Sequence, residues 1–279
     1  MNTIVVEARD LRVSSGGLVA GGLSLAVPEG EIHALLGHRG AGKTLALEAL
    51  AGLRRPCGGR VRLRGADPYA ERDGLRVGTV WRDGGLFPGL TVTEVLEAWR
   101  RWTLDPLTVD EALALTGLEK VAGVRFERLT AGERRLLDLS LAMVNRSDVL
   151  FLDEPTSGLD GGTVHRIWAT LHHVAAAGKT VLLTTSDAAE SRRAHRVSVL
   201  DRDRSYSADA ISAPPTGGVT AEAVRSPVHR DVQDVRAVAG AGRRGKPAPT
   251  GPMTLRGSRM PAGDVQNVGS GYTAANDAR

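Results

Sequence analysis

Along residues 1–204, short apolar runs alternate with segments whose apolar positions recur at helical spacing. Runs at 23–27 (LSLAV), 32–36 (IHALL), 60–63 (RVRL), 76–80 (RVGTV), 148–154 (DVLFLDE), 180–185 (TVLLTT) and 196–201 (RVSVLD) predict strands. Helices are predicted over 42–50, 93–102, 110–118, 132–144 and 161–177. In the last of these, Val164, Ile167, Trp168, Leu171 and Val174 fall on one stripe that faces a core. Strands apolar almost throughout must be covered on both faces, and the helices between them supply the cover. The pattern therefore predicts an α/β domain over 1–204 with a mainly parallel sheet.

The pattern stops near Asp203. Residues 205–279 are rich in Ala, Gly, Pro, Ser and Thr, with stretches such as APPTGG and AGAGRRGKPAPTGP. Such a segment buries too little apolar surface to offset the entropy of ordering, so a disordered tail is expected there. Only 219–238 has helical potential, and the cluster Arg243, Arg244 and Lys246 is expected to be a solvated run. The chain shows no internal repeat.

Composition changes this picture little. Hydrophobic residues make up 42% of the chain and aromatics only 4%, so the core is expected to be aliphatic. A net charge of +4 is mild and points to no nucleic-acid partner. The single Cys57 excludes an intramolecular disulfide and suits a reducing compartment. Glu7, Arg9, Asp10 and Arg12 interrupt any signal-peptide pattern, and the uncharged stretch 13–28 is too short and Gly-rich to span a bilayer. A role at a membrane would need a partner to hold the chain there.

The chemistry centres on GHRGAGKT: Gly37, His38, Arg39, Gly40, Ala41, Gly42, Lys43 and Thr44, followed by Leu45. Gly37, Gly42, Lys43 and Thr44 fit G-x-x-x-x-G-K-[ST] between a predicted strand and a predicted helix, the context this motif requires. Glycines let successive backbone N–H groups turn toward an anion, and the helix N-terminus adds its positive dipole end. The Lys43 ammonium would reach the β- and γ-phosphates of a nucleotide, and the Thr44 hydroxyl would ligate Mg²⁺. An unrelated Gly-rich turn would rarely carry a lysine at this position in a chain with four lysines. Further on, VLFLDEP places Asp153 and Glu154 directly after a buried strand, where one carboxylate can hold Mg²⁺ and the next can polarise a water.

Between these two motifs lies LTAGERRLLDLSLAMV, and here the chain resembles the nucleotide-binding subunits of ABC transporters. The resemblance runs from about residue 4 to 203 and is carried by GHRGAGKT, LFPGLTVTEVL, LTAGE, VLFLDEPTSGLD and TVLLTTS, in that order. LFPGLTV and RRLLDLSLAMV look most like the subgroup that energises drug and antibiotic exporters. It implies a P-loop NTPase core, a small N-terminal antiparallel β part and a helical subdomain at about 88–147. It also implies ATP and Mg²⁺ as cofactors, with Thr44 and Asp153 at the metal and Glu154 as the catalytic base. Two such subunits, alike or different, would close head to tail. The signature of one, Leu129, Thr130, Ala131, Gly132 and Glu133, would cover ATP on the other, with Asp160 in the adjoining loop. Closure would drive a membrane-spanning permease, placing the chain in the cytoplasm on the inner face of the membrane.

Four positions depart from that family pattern. The glutamine that senses Mg²⁺ and the γ-phosphate aligns with Arg82, whose guanidinium cannot ligate a cation. The switch histidine aligns with Ser186, whose hydroxyl is too short to span an imidazole's reach, and nearby His195 is expected to be a surface residue. Ala131 adds a methyl to the signature, and the adenine-stacking aromatic aligns near Ser14 and Ser15. Two readings stay open: an active ATPase with unusual accessory residues, or a subunit that binds ATP and turns it over slowly. A soluble ATP-dependent assembly factor and a non-catalytic regulatory subunit are the alternatives.

Overall fold

The structure is a computed structural model that describes residues 3–15, 18–70, 76–200 and 205–208. The expected tail beyond residue 208, its helical stretch 219–238 and its basic cluster lie outside the described residues. The described residues form one compact unit.

Two sheets build it. The larger has six strands in the order β5-β6-β7-β3-β8-β9. Here β3 is Ile32–Leu36, β5 Val77–Val80, β6 Val149–Asp153, β7 Thr180–Thr185, β8 Arg196–Leu200 and β9 Ser205–Ala208. All neighbours pair in parallel except β8 and β9, which are antiparallel. β9 falls in the segment expected to be tail, so the sheet continues past residue 204.

The near-continuous apolar runs follow from cover on both faces. Ile32, Ala34, Leu150, Leu152, Val181 and Leu183 enter one core, with α4 (Ala131–Met143) and α5 (Gly161–Ala176). Their alternating neighbours Leu35, Val149, Phe151 and Leu182 enter a second core on the opposite face, with α1 (Lys43–Leu50). The predicted α5 stripe is present, with Ile167, Trp168, Leu171 and Val174 buried.

The second core is closed by an antiparallel sheet, β2-β1-β4, of Leu18–Pro28, Ile4–Ser15 and Gly58–Leu63. The sequence pattern predicts no strand at β1, because three register irregularities break its alternation, between Ile4/Val6, Ala8/Leu11 and Leu11/Val13. Asp10 takes a left-handed φ of 48° at one of them. Gly59 crosses there, and a Cβ on it would meet the Asp10 carbonyl oxygen at 2.1 Å.

A helical arm of α2 (Val92–Arg100), α3 (Val109–Thr116) and α4 leaves the main sheet after β5 and returns before β6. Each arm helix starts with Thr-x-x-Glu: Thr91 with Glu94, Thr108 with Glu111, Thr130 with Glu133. In each, the threonine hydroxyl accepts the glutamate N–H and the glutamate carboxylate accepts the threonine N–H. No helix among the described residues is long and apolar enough to cross a membrane.

Candidate nucleotide site

Parallel strands bring their C-terminal ends to one edge, where ligands of open α/β sheets bind. At this edge β3 runs into the Gly37–Lys43 loop, β6 ends in Asp153 and β7 ends in Thr185. The loop needs its glycines. Gly40 and Gly42 have φ of 79° and 90°, and a Cβ on Gly37 would lie 2.6 Å from the Leu200 carbonyl oxygen. His38, Arg39 and Gly40 form its exposed rim, whereas Ala41, Gly42 and Lys43 are buried. Leu45 packs on the second core from the first turn of α1.

Lys43 Nζ donates to the carbonyl oxygens of Gly37 at 2.8 Å and His38 at 3.2 Å, and pairs with Glu154 Oε1 at 3.1 Å. Those contacts occupy the three donors of an ammonium. Both partners of the ion pair are buried, at 5% and 7% side-chain exposure, so removing either would strand the other. Thr44 Oγ1 donates to Asp153 Oδ2 at 2.9 Å, joining loop to strand end. Register places Asp153 opposite Thr184, whose hydroxyl donates to Asp153 Oδ1 at 2.6 Å and accepts from Glu154 N at 2.9 Å.

Glu154 has φ 43°, a left-handed conformation that costs a non-glycine residue roughly 1–3 kcal/mol and gathers at functional sites. Its Oε2 is buried and accepts no hydrogen bond among the described residues. Arg82 Nη2 lies 3.9 Å from it. Arg82 itself is half exposed, and its loop is held by α4: Arg135 donates to the carbonyl oxygens of Trp81 and Arg82, both at 2.7 Å. Asp138, one turn further, accepts from Gly85 N. Burial holds the Asp138 carboxyl above the usual range, opposed by Gly85 N–H and by Arg135.

Ser186 is exposed and lies with Glu154 on the wall of a cleft of about 390 Å³. His195 is on the surface as expected, where its Nδ1 accepts the Ile32 N–H at 2.9 Å.

The structure thus gathers Gly37, His38, Lys43, Thr44, Arg82, Asp153 and Glu154, with Ser186 across the cleft. Leu129–Glu133 and Asp160 belong to a second cluster, at the N-termini of α4 and α5. Asp160 caps α5 by accepting Thr163 N and Oγ1, and the Thr163 hydroxyl is the main cause holding its carboxyl below the usual range. A Cβ on Gly132 would meet Thr163 Oγ1 at 2.5 Å, so this glycine lets the signature sit on that cap. Ala131 is exposed, with its methyl outside that contact. Ser14 and Ser15 pair with Val19 and Leu18 at the far end of the β1–β2 hairpin.

Thr184, Arg135 and Asp138 are missed by sequence reasoning. The hydroxyl pair closing TVLLTT, beside a strand ending in two carboxylates, is the one local signal that could have found Thr184. Arg135 and Asp138 carry no such signal.

A glycine-rich strand-to-helix loop, a buried lysine and paired carboxylates at parallel strand ends define a phosphate-loop nucleotide-binding domain. Residues 20–157 match the ABC transporter family. The chain is 40% identical, over 204 residues, to Nod factor export ATP-binding protein I of Paraburkholderia xenovorans (strain LB400), covering 70% of this chain and 67% of that protein. The fold matches cbiO1 from Clostridium perfringens, part of the ABC transporter complex cbiONQ, with TM-score 0.64 and 25% identity over 73% of this chain and 87% of that one. It also matches the dimeric, post-hydrolysis ATP-binding cassette MJ0796 bound to ADP and Pi, with TM-score 0.62 and 22% identity over 72% and 98%. The chain belongs to the ABC transporter family and carries its ATP-binding cassette.

Proposed function

We propose that this chain is the ATP-hydrolysing subunit of a membrane exporter, acting as a cassette pair beneath a membrane-spanning permease. The observation that carries the reading is the convergence of Lys43, Thr44, Asp153 and Glu154 on one loop and one strand end. Export as the direction rests on the relative named for Nod factor export.

The phosphates of ATP would lie along the Gly37–Lys43 loop. Lys43, whose ammonium already faces the loop carbonyls, would bind the β- and γ-phosphates. Thr44 Oγ1 and Asp153 Oδ2, 2.9 Å apart, are both oxygen donors and suit a hard divalent cation. Bound there, Mg²⁺ would neutralise charge growing between the β- and γ-phosphates. Glu154 Oε2, buried and with acceptor capacity to spare, would orient the attacking water. The exposed N-terminus of α4, with Thr130 and Ala131, would cover ATP held by a second cassette; Asp160 would lie beside that junction.

Turnover is expected to be slow, because Arg82 opposes a cation near Glu154 and Ser186 cannot reach a γ-phosphate as an imidazole does. A nucleotide-binding regulatory subunit is the second reading, favoured by these same two residues.

The permease would dock where the helical arm meets the main sheet. A groove of about 430 Å³ there is lined by Trp81, Gly85, Phe87, Trp99 and Leu141, and Leu86, Trp102 and Leu104 stand exposed around the arm. Docking would hold the chain on the inner face of the membrane. The test is affinity purification from membranes of cells expressing the chain from its own locus. A multi-span protein is expected to co-purify, and to be lost with Trp99→Asp plus Trp102→Asp while ATP affinity persists. Recovery in the soluble fraction alone, without a multi-span partner, contradicts the transporter reading.

A further inference from the structure

The short helix α6 (Ala188–Ser191), which follows β7, carries a carboxylate, Glu190, outside the set proposed to hold nucleotide and metal. Glu190 Oε1 accepts from Thr156 Oγ1 and from the indole Nε1 of Trp168 at 3.0 Å, and its Oε2 accepts from Thr185 Oγ1 at 2.7 Å. The three donors come from three segments. Thr156 lies two residues past Glu154, Trp168 lies on α5 behind the Asp160 cap, and Thr185 immediately precedes Ser186.

The surrounding bonds make the junction stiff. Thr185 Oγ1 also accepts Asp187 N at 3.0 Å, and the Thr185 carbonyl accepts Gly37 N at 3.1 Å, tying β7 to the phosphate loop. Asp187 caps α6 through Ala189 N and Glu190 N. Glu190 and Thr185 line the same cleft as Glu154, Ser157, Gly158 and Ser186. An ionised carboxylate is an acceptor on both oxygens and can serve all three donors at once, with bonds stronger than neutral ones. A glutamine of the same shape that keeps its oxygen toward Thr156 and Trp168 turns its NH₂ to the Thr185 hydroxyl, which must then accept instead of donate, so a charge-assisted bond is replaced by a weaker neutral one.

We infer that Glu190 is a positioning residue for ATP hydrolysis: it fixes the Glu154 turn, the middle of α5 and the Ser186 loop relative to one another. The inference rests on the ATPase reading above. A water held by Glu154 must meet a γ-phosphate held by the loop, and an error of about 1 Å in such a geometry can cost on the order of a hundredfold in rate.

The test compares wild type, Glu190→Gln and Thr185→Val for ATP affinity by calorimetry, for kcat and KM, and for melting temperature. Both variants are expected to lower kcat about tenfold to a hundredfold. Affinity and KM should stay within about twofold, and the double variant should lose little more than either single one. In wild type the ¹H–¹⁵N indole resonance of Trp168, identified with Trp168→Phe, should shift when Mg-ADP binds; in Glu190→Gln it should not. Unchanged kcat in both variants overturns the inference. So does a kcat loss matched by equal losses of affinity and melting temperature, which would mean a structural staple only. If wild type binds nucleotide without turnover, the ATPase reading fails, and the indole resonance alone decides whether the junction couples to the site. A resonance indifferent to bound nucleotide overturns the inference.

Discussion

Arg82 and Ser186 are the residues at which this cassette departs most from the chemistry its site otherwise supports. Arg82 brings a positive charge to 3.9 Å from the buried carboxylate that should orient water. That charge favours a phosphate and opposes a cation. Ser186 lines the cleft wall, and under the proposed function its short hydroxyl would stand where charge stabilisation of the transition state is needed. Losing one such donor typically costs about 10²–10³ in rate. The double substitution Arg82→Gln with Ser186→His is therefore expected to raise ATP turnover at least about tenfold. Steady-state phosphate release checks it, and a repaired variant no faster than wild type would show that both departures are harmless. Lys43, Thr44, Asp153 and Glu154 were legible in the sequence because each motif is local, a loop spacing or a strand end. Thr184, Arg135 and Glu190 were not. They reach their partners across 31, 53 and 34 residues of chain, for Asp153, Arg82 and Thr156 respectively, so only the fold brings them together.

Element boundaries show the same division. Buried parallel strands read clearly, since cover on both faces makes them apolar at nearly every position. β1 did not, because its irregular register moves side chains between faces and erases period-two alternation. The arm helices were legible by their apolar spacing, and Thr-x-x-Glu fixes their starts. Thr108→Ala removes the cap of α3, whose hydroxyl accepts Glu111 N at 3.1 Å. It is expected to lower unfolding free energy by about 1 kcal/mol, measured by urea denaturation, with ATP affinity unchanged. Thr130→Ala should cost stability similarly and also lower turnover, because this cap belongs to the surface proposed to cover a second cassette's ATP. Equal turnover in the two variants would argue against that role for the α4 N-terminus.

At the scale of the whole molecule, the parallel strands β3, β5, β6, β7 and β8 bring their C-terminal ends to one edge, and the arm carries the signature at the N-terminus of α4. A site divided in this way makes sense for a cassette that works as a pair, as proposed above. Sequence alone could name the pieces but not that Gly132 seats the signature against the Thr163 cap of α5. The proposed function rests on nucleotide chemistry at Lys43 and Glu154. The direct measurement is ATP binding by calorimetry, with turnover, for wild type, Lys43→Ala and Glu154→Gln. Lys43→Ala is expected to weaken binding by about 2–4 kcal/mol, because a charge-assisted clamp is lost and Glu154 is left buried without its partner. Glu154→Gln is expected to keep binding within about threefold of wild type and abolish turnover. Wild type that binds no ATP at millimolar concentration, or Glu154→Gln that turns ATP over at the wild-type rate, would contradict the account.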